Sequence, residues 1–217
     1  MTNGTVQQWE HNFGTVNAYA SGGSDTAIMY DSSGNDVFVT GLMSLNEQAN
    51  ASNQSTSSFA QMNSPGGTPT IVQTAYGFKY SYGYSVNGGT DEASQFDGSA
   101  AGNLYVVALS GSSGPYADME TATGSVQQIA TNFAQNYGAA LTGQHDQATF
   151  YSAATGTSTL ALTSTTVTAT VTGHFYEAYA DGGVGYWQVN AIGTTGTGSR
   201  NNPGSTTYTY VGQGFWA

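Results

Sequence analysis

The sequence repeats one phrase of a few tens of residues, and this repetition limits the folds that the chain can adopt. Residues 13–39 read FGTVNAYASGGSDTAIMYDSSGNDVFV, and residues 78–107 read FKYSYGYSVNGGTDEASQFDGSAAGNLYVV. Both copies contain an aromatic first residue, a tyrosine, Gly-Gly, Asp-x-Ala, an aromatic-Asp pair and Gly-Asn, in that order. Eroded copies start at Phe133 and Phe175. Such repetition is typical of stacked architectures, in which each unit buries its apolar side against its neighbours.

Short runs rich in Val, Thr and Tyr, separated by Gly-rich turns, predict strands along the whole chain. Residues 70–86 alternate tyrosine with small side chains, which is the period of a sheet. Residues 124–141 also fit a helical period, but Phe133 stands where the repeat opens a strand. We therefore predict an all-β fold in which residues 1–217 form one elongated repeat domain, with residues 42–69 as an insertion between repeats.

The repetition favours a parallel β-solenoid, or β-helix, built from degenerate repeats with starts near 13, 78, 133 and 175. A β-sandwich is the alternative, because turns of three or four residues also suit hairpins.

The charge content excludes some partners. Only 7% of the residues are charged, the net charge is −11, and Lys79 and Arg200 are the only lysine and arginine. With so few cations, binding to nucleic acid has little electrostatic support. No apolar run approaches the roughly 20 residues of a spanning helix, so we predict no membrane insertion. The chain contains no cysteine, which excludes disulfides and thiolate metal sites.

The first copy carries the phrase Phe-x(5)-Tyr-Ala-x-Gly-Gly-x-Asp-x-Ala-x-x-Tyr-Asp-Ser-x-Gly-Asn-Asp-x-Phe-Val. This phrase resembles the degenerate repeats of very large secreted or surface proteins of planctomycete-like bacteria. The resemblance implies an extracellular or cell-surface, all-β, repeat-built protein. Residues 33–38 (SGNDVF) also have a weak similarity to half of a calcium-binding nonapeptide repeat.

One group of oxygen donors stands out as a candidate calcium site: Asp25, Asp31, Asn35 and Asp36. Calcium takes six to eight oxygen ligands from carboxylates and backbone carbonyls. The competing interpretation is that these side chains accept hydrogen bonds from the nearby backbone in turns. The recurrence of Asp25, Asp91 and Asp146 before x-Ala favours a role in turns repeated in each unit.

A strip of tyrosines is the candidate binding surface. Tyr80, Tyr82 and Tyr84 alternate along one strand and therefore share a face, which would suit stacking against a glycan or contact with a protein. The alternative is that these rings line the interior. The sequence contains neither H-E-x-x-H nor G-x-S-x-G, and we predict that the chain is not an enzyme.

Both ends of the chain are strand-like, nearly uncharged and aromatic. Strand edges without protecting charges can pair with another chain. We therefore predict an extracellular structural module that associates with itself or forms filaments; the alternative is a carbohydrate-binding or adhesive module. The predicted subunit contacts are Trp9, Phe13, Tyr208, Tyr210, Phe215 and Trp216.

Overall fold

In a computed structural model, most of the described residues form strands. The described residues are 14–20, 23–42, 58–64, 72–97, 102–110, 114–124, 126–140, 146–155, 157–163, 165–171, 173–180, 188–193, 197–201, 209–214 and 216. They contain no helix, which confirms the all-β prediction and the strand assignment around Phe133. No helix that could cross a membrane occurs in this part of the chain.

The described residues form eighteen strands, numbered here in chain order. They are β1 Thr15–Tyr19, β2 Thr26–Tyr30, β3 Val37–Gly41, β4 Phe59–Asn63, β5 Val72–Tyr76, β6 Tyr80–Tyr84, β7 Glu92–Phe96, β8 Leu104–Ala108, β9 Tyr116–Glu120, β10 Gln127–Thr131, β11 Gln135–Ala140, β12 Gln147–Tyr151, β13 Thr157–Leu162, β14 Thr166–Val171, β15 His174–Ala180, β16 Gln188–Gly193, β17 Thr197–Asn201 and β18 Thr209–Gly214.

The strands form two mixed sheets. Of the described strands, ten form sheet A, in the order β1-β5-β4-β3-β7-β11-β15-β14-β13-β17, and eight form sheet B, in the order β18-β16-β12-β8-β9-β10-β6-β2. Side chains on the inner faces of the two sheets pack against each other, as the contact of Phe38 in sheet A with Phe133 and Gly83 illustrates.

Strand pairing divides the chain into units of five strands. In each complete unit the first strand pairs in parallel with the fifth (β1–β5, β6–β10 and β11–β15). The third, fourth and fifth strands form an antiparallel meander (β3–β5, β8–β10 and β13–β15). The fourth unit consists, among the described strands, of β16, β17 and β18.

Successive units exchange their roles between the two sheets. The first and third units place only their second strand in sheet B, whereas the second unit places only its second strand in sheet A. Parallel pairs join the units: the second strand of one unit pairs with the first strand of the next, and the third strand pairs with the next unit's second. These pairs are β2–β6, β7–β11, β12–β16, β3–β7, β8–β12 and β13–β17.

The sequence repeat and the strand units are related but differ in one place. Phe78 and Phe133 each precede the first strand of a unit by two residues, β6 and β11 respectively. Phe175, in contrast, lies in β15, the fifth strand of the third unit, so by pairing the fourth unit opens at β16. The segment 42–69 includes β4, which is the counterpart of β9 and β14.

Close contacts of equivalent residues hold neighbouring units together. A Cβ atom added to Gly83 in β6 would lie 2.7 Å from the ring of Phe38 in β3, and one added to Gly138 in β11 would lie 2.6 Å from the ring of Tyr105 in β8. Both aromatic residues are fully buried. In each case an aromatic side chain from a third strand packs on a glycine in the next unit's first strand, across the two sheets.

Two buried glutamines join the sheets by hydrogen bonds. Gln128 Nε2 in sheet B donates to the carbonyl oxygens of Gly41 and Phe59 in sheet A, both at 3.0 Å. Gln95 Nε2 in sheet A donates to the carbonyl oxygen of Gln128 at 2.6 Å. A shift of one sheet relative to the other would break these hydrogen bonds and leave buried amide groups unpaired, which is costly. The two glutamines therefore help to fix how the sheets face each other.

Candidate functional site

Three buried carboxylates meet where the first and second units join. Asp31 follows β2, Asp36 precedes β3 and Asp91 precedes β7. One oxygen from each lies within 4.8 Å of the others, and the three residues are 6%, 1% and 1% exposed. Parallel pairing of β3 with β7 brings Asp36 and Asp91 together although 55 residues separate them.

Hydrogen bonds hold these carboxylates in place. Asp36 accepts bonds from the backbone NH and the hydroxyl of Ser32, both at 2.9 Å, and from the hydroxyl of Ser64. Asp91 accepts the backbone NH of Asp36 at 2.7 Å and the hydroxyl of Ser85 at 2.6 Å.

Asp31 belongs to the same network through a turn of the second unit. Its carboxylate accepts the backbone NH of Asn87 at 2.9 and 3.0 Å, and Asn87 Nδ2 donates to the Asp31 carbonyl oxygen at 2.8 Å. The turn that follows β6 is thus tied to the end of β2.

Negative charge is concentrated at this point without a balancing side chain. The chain's only lysine and arginine lie elsewhere, Lys79 over the ring of Tyr80 and Arg200 over the ring of Tyr210. Burial raises the pKa of Asp91; hydrogen bonds from Ser85 and Asp36 oppose this shift, and the neighbouring carboxylates add to it. The cluster offers the hard oxygen ligands that calcium prefers.

The structure brings only part of the sequence-predicted donor set together. Asp31 and Asp36 lie in the cluster, whereas Asp25 is exposed and is not part of it. Asn35 is exposed and its Oδ1 accepts the backbone NH of Thr90 at 2.9 Å. Asp91, which joins the cluster, belongs to the second copy of the repeat, and only the pairing between units reveals its position.

The same arrangement recurs one unit further along. Asn103 precedes β8, and its backbone NH donates to Asp146 Oδ1 at 2.7 Å, as the NH of Asp36 does to Asp91. Asp97 occupies the position of Asp31 after the second strand, and its NH bonds the carbonyl oxygen of Ala139. All three equivalents are buried. Turn bonding therefore recurs at these positions in both units, and within the described residues a set of three carboxylates occurs at the first junction.

The predicted tyrosine strip lies on the outer face of sheet B. Tyr80, Tyr82 and Tyr84 are partly exposed, while Ser81 and Gly83 between them are buried on the inner side of the strand. The rings of Tyr80 and Tyr82 stack with centroids 6.5 Å apart, and Tyr84 stacks on Tyr30 of β2 at 5.4 Å.

The predicted contact residues at the chain ends have different surroundings. Trp216 is fully buried in the core, and its carbonyl oxygen accepts bonds from Arg200 Nη1 at 3.2 Å and the Tyr210 hydroxyl at 2.5 Å. Tyr210 is partly buried against the same core cluster. Trp9, Phe13, Tyr208 and Phe215 lie outside the described residues.

Comparisons with protein-family models, with curated proteins and with solved structures gave no match.

Proposed function

We propose that this protein is an extracellular structural module that associates with copies of itself, and that its role is not catalytic. Its architecture is a β-solenoid variant, in which parallel pairing stacks successive units and antiparallel meanders widen each unit. Repeat architectures of this kind bury a continuous core along the stack and leave strand edges at its two ends.

The edge formed by β1 and β2 carries this proposal. Neither strand contains a charged residue or proline, the usual protection of exposed sheet edges. The side chains of Tyr19, Ile28 and Tyr30 are 61%, 54% and 51% exposed, which places three of the most exposed large apolar groups of the described chain on these two strands. Edge strands of this composition favour addition of a strand from another chain.

Lysines placed on this edge should prevent association. We expect Asn17→Lys/Ile28→Lys to weaken self-association at least tenfold, about 1.4 kcal/mol, because each of the two edge strands would then carry a charge that opposes the addition of a partner strand. Sedimentation velocity over a concentration series measures the effect. Ala122→Lys/Thr123→Lys is the control of equal charge, on exposed positions of the turn between the internal strands β9 and β10.

Association that is unchanged in the edge variant would contradict the proposal, as would a monomeric wild-type protein. The monomeric result would favour the second candidate, glycan binding. Its support is the outward-facing Tyr80, Tyr82 and Tyr84, since aromatic rings on a flat face can stack against sugars.

Calcium at the Asp31/Asp36/Asp91 cluster fits the structural role. The ion would offset two of the three negative charges that the carboxylates carry when ionised, and binding to the folded state alone would stabilise the chain by mass action. Backbone carbonyls or water would complete the six to eight ligands that calcium takes.

Calcium should therefore raise the melting temperature of the wild-type protein, and Asp36→Asn should remove most of that increase. At a calcium concentration about 100 times the dissociation constant, the expected stabilisation is about 2.7 kcal/mol. Asp25→Asn, on an exposed residue outside the cluster, should keep the response. An equal calcium response in wild type and Asp36→Asn, or none in the wild type, would assign these residues to turn bonding alone.

A further inference from the structure

We infer that copies of the chain join head to tail through sheet A, with β17 of one copy beside β1 of a second copy in parallel. This inference rests on the proposed self-association and specifies its geometry. The occupant of the β1 edge is then a second copy of this chain.

The pairing inside the chain defines what each free edge accepts. At all three junctions between units, a second strand pairs in parallel with the next unit's first strand: β2 with β6, β7 with β11 and β12 with β16. β17 is the second strand of the fourth unit, and β1 is the first strand of the first unit. Among the described strands, β17 has β13 and β1 has β5 as a single neighbour. Among the described strands, none pairs with β17 on the side where a next unit's first strand would lie, or with β1 on the side where a preceding unit's second strand would lie.

The alternation of the units puts both edges in the same sheet. The fourth unit places its second strand, β17, in sheet A, as the second unit does with β7. The next unit in such a series places its first strand in sheet A, as the third unit does with β11, and β1 also lies in sheet A. With an odd number of units, the last second strand would lie in sheet B, whereas β1 lies in sheet A, and the two strands could not pair. Sheet B has eight described strands and sheet A has ten, so the ends of sheet B would not meet where those of sheet A do. The joint is therefore assigned to sheet A alone.

The register of the joint follows from the internal junctions. Glu92 and Gln147, near the start of second strands, pair on one side with Val37 and Leu104, and on the other with Gln135 and Gln188, which open the next unit's first strand. Ser199 is their counterpart in β17. It pairs with Thr159, and the meander of the third unit aligns Thr159 with Gln135. The meander of the first unit aligns Val37 with Thr15 in the same way. Ser199 should therefore lie beside Thr15 of the second copy.

The side chains at the joint are compatible with this contact. Ser199 and Thr15 are both exposed and uncharged. Arg200 occupies an inner-face position of β17, since it pairs with the buried Leu160. Its guanidinium lies 5.1 Å from the centroid of the Tyr210 ring and bonds the carbonyl oxygen of Trp216, so its charge is already engaged before a strand covers it.

Thiol cross-linking tests the joint directly, because the chain has no cysteine of its own. Ser199→Cys and Thr15→Cys are made in separate chains, mixed in equal amounts and treated with a short bis-maleimide. We expect cross-linked dimers at least ten times more abundant in the mixture than in either variant alone. Ser199→Cys mixed with Tyr19→Cys is the register control, because Tyr19 lies four residues, about 13 Å, along the strand.

The outcomes separate this inference from the proposed function. A strong Ser199–Thr15 cross-link supports the joint. Dimers formed by Thr15→Cys alone would show that like ends meet and would overturn the head-to-tail arrangement. A protein that sediments as an oligomer but gives no Ser199–Thr15 product would also overturn it, while leaving self-association intact. A protein that is monomeric by sedimentation would contradict both.

Discussion

Substitution of Gly138 by alanine should destabilise the protein by about 3 kcal/mol, the upper part of the usual cost of overpacking a core. The added Cβ would lie 2.6 Å from three atoms of the Tyr105 ring, and because Tyr105 is fully buried, its ring can move only if the surrounding side chains move as well. The φ angle of Gly138 is not in the left-handed region, so the effect reports packing rather than backbone strain. Urea denaturation followed by circular dichroism measures the loss.

A matched glycine gives the control. Gly34→Ala places its Cβ 3.5 Å from Ser32 Oγ, an ordinary contact, and should change the stability by less than about 0.5 kcal/mol. A smaller side chain at position 105 should relieve part of the overpacking. The double variant Gly138→Ala/Tyr105→Leu should therefore lose less stability than the sum of the losses in the two single variants. Strict additivity in this double-mutant cycle would show that the two residues do not pack as described.

The second large effect is a pH dependence that arises from Asp118. This residue lies in β9 on the outer face of sheet B, between Val106 of β8 and Ile129 of β10, and is 6% exposed. Burial raises the pKa of Asp118 to about 7, the nearby Glu120 adds to the shift, and a 2.6 Å hydrogen bond from Gln127 Nε2 opposes it.

Because the folded-state pKa lies above the unfolded value of about 3.9, the unfolded chain loses this proton first. The contribution to stability is full below about pH 4 and is lost as the pH rises through about 7, a total change of about 4 kcal/mol. Asp118→Asn should remove this fall and be more stable than wild type at about pH 8. Denaturation curves between about pH 4 and pH 8 compare the two proteins, with Asp25→Asn, an exposed residue, as the control. Parallel stability curves for wild type and Asp118→Asn would contradict this assignment.

The sequence predicts the strands well because their signals are local. Alternation along 80–84 correctly places Tyr80, Tyr82 and Tyr84 on one face of the strand. Whether this is the inner or the outer face of the sheet depends on how the strand pairs with its neighbours. Phe133 also correctly indicates the start of a strand, because the repeat supplies a comparison that a helical period alone cannot.

The pairing between strands is the part that the sequence does not reveal. Asp91 reaches Asp36 only because β7 pairs with β3, and a local motif such as Gly-Asn-Asp carries no information about a partner 55 residues away. The exchange of roles between the sheets is hidden for a similar reason. Equivalent residues such as Phe38 and Tyr105 each pack on a glycine of the next unit's first strand but lie in opposite sheets, so the local sequence does not distinguish the two sheets.

Negative-stain electron microscopy of the purified protein tests the proposed self-association most directly. We predict unbranched filaments with an axial repeat of about 48 Å, since each copy would add ten strands to a continuous sheet A at about 4.8 Å per strand. The Asn17→Lys/Ile28→Lys variant prepared in parallel should give short particles only. Compact single particles of the wild-type protein at every concentration, with and without calcium, would contradict the proposal.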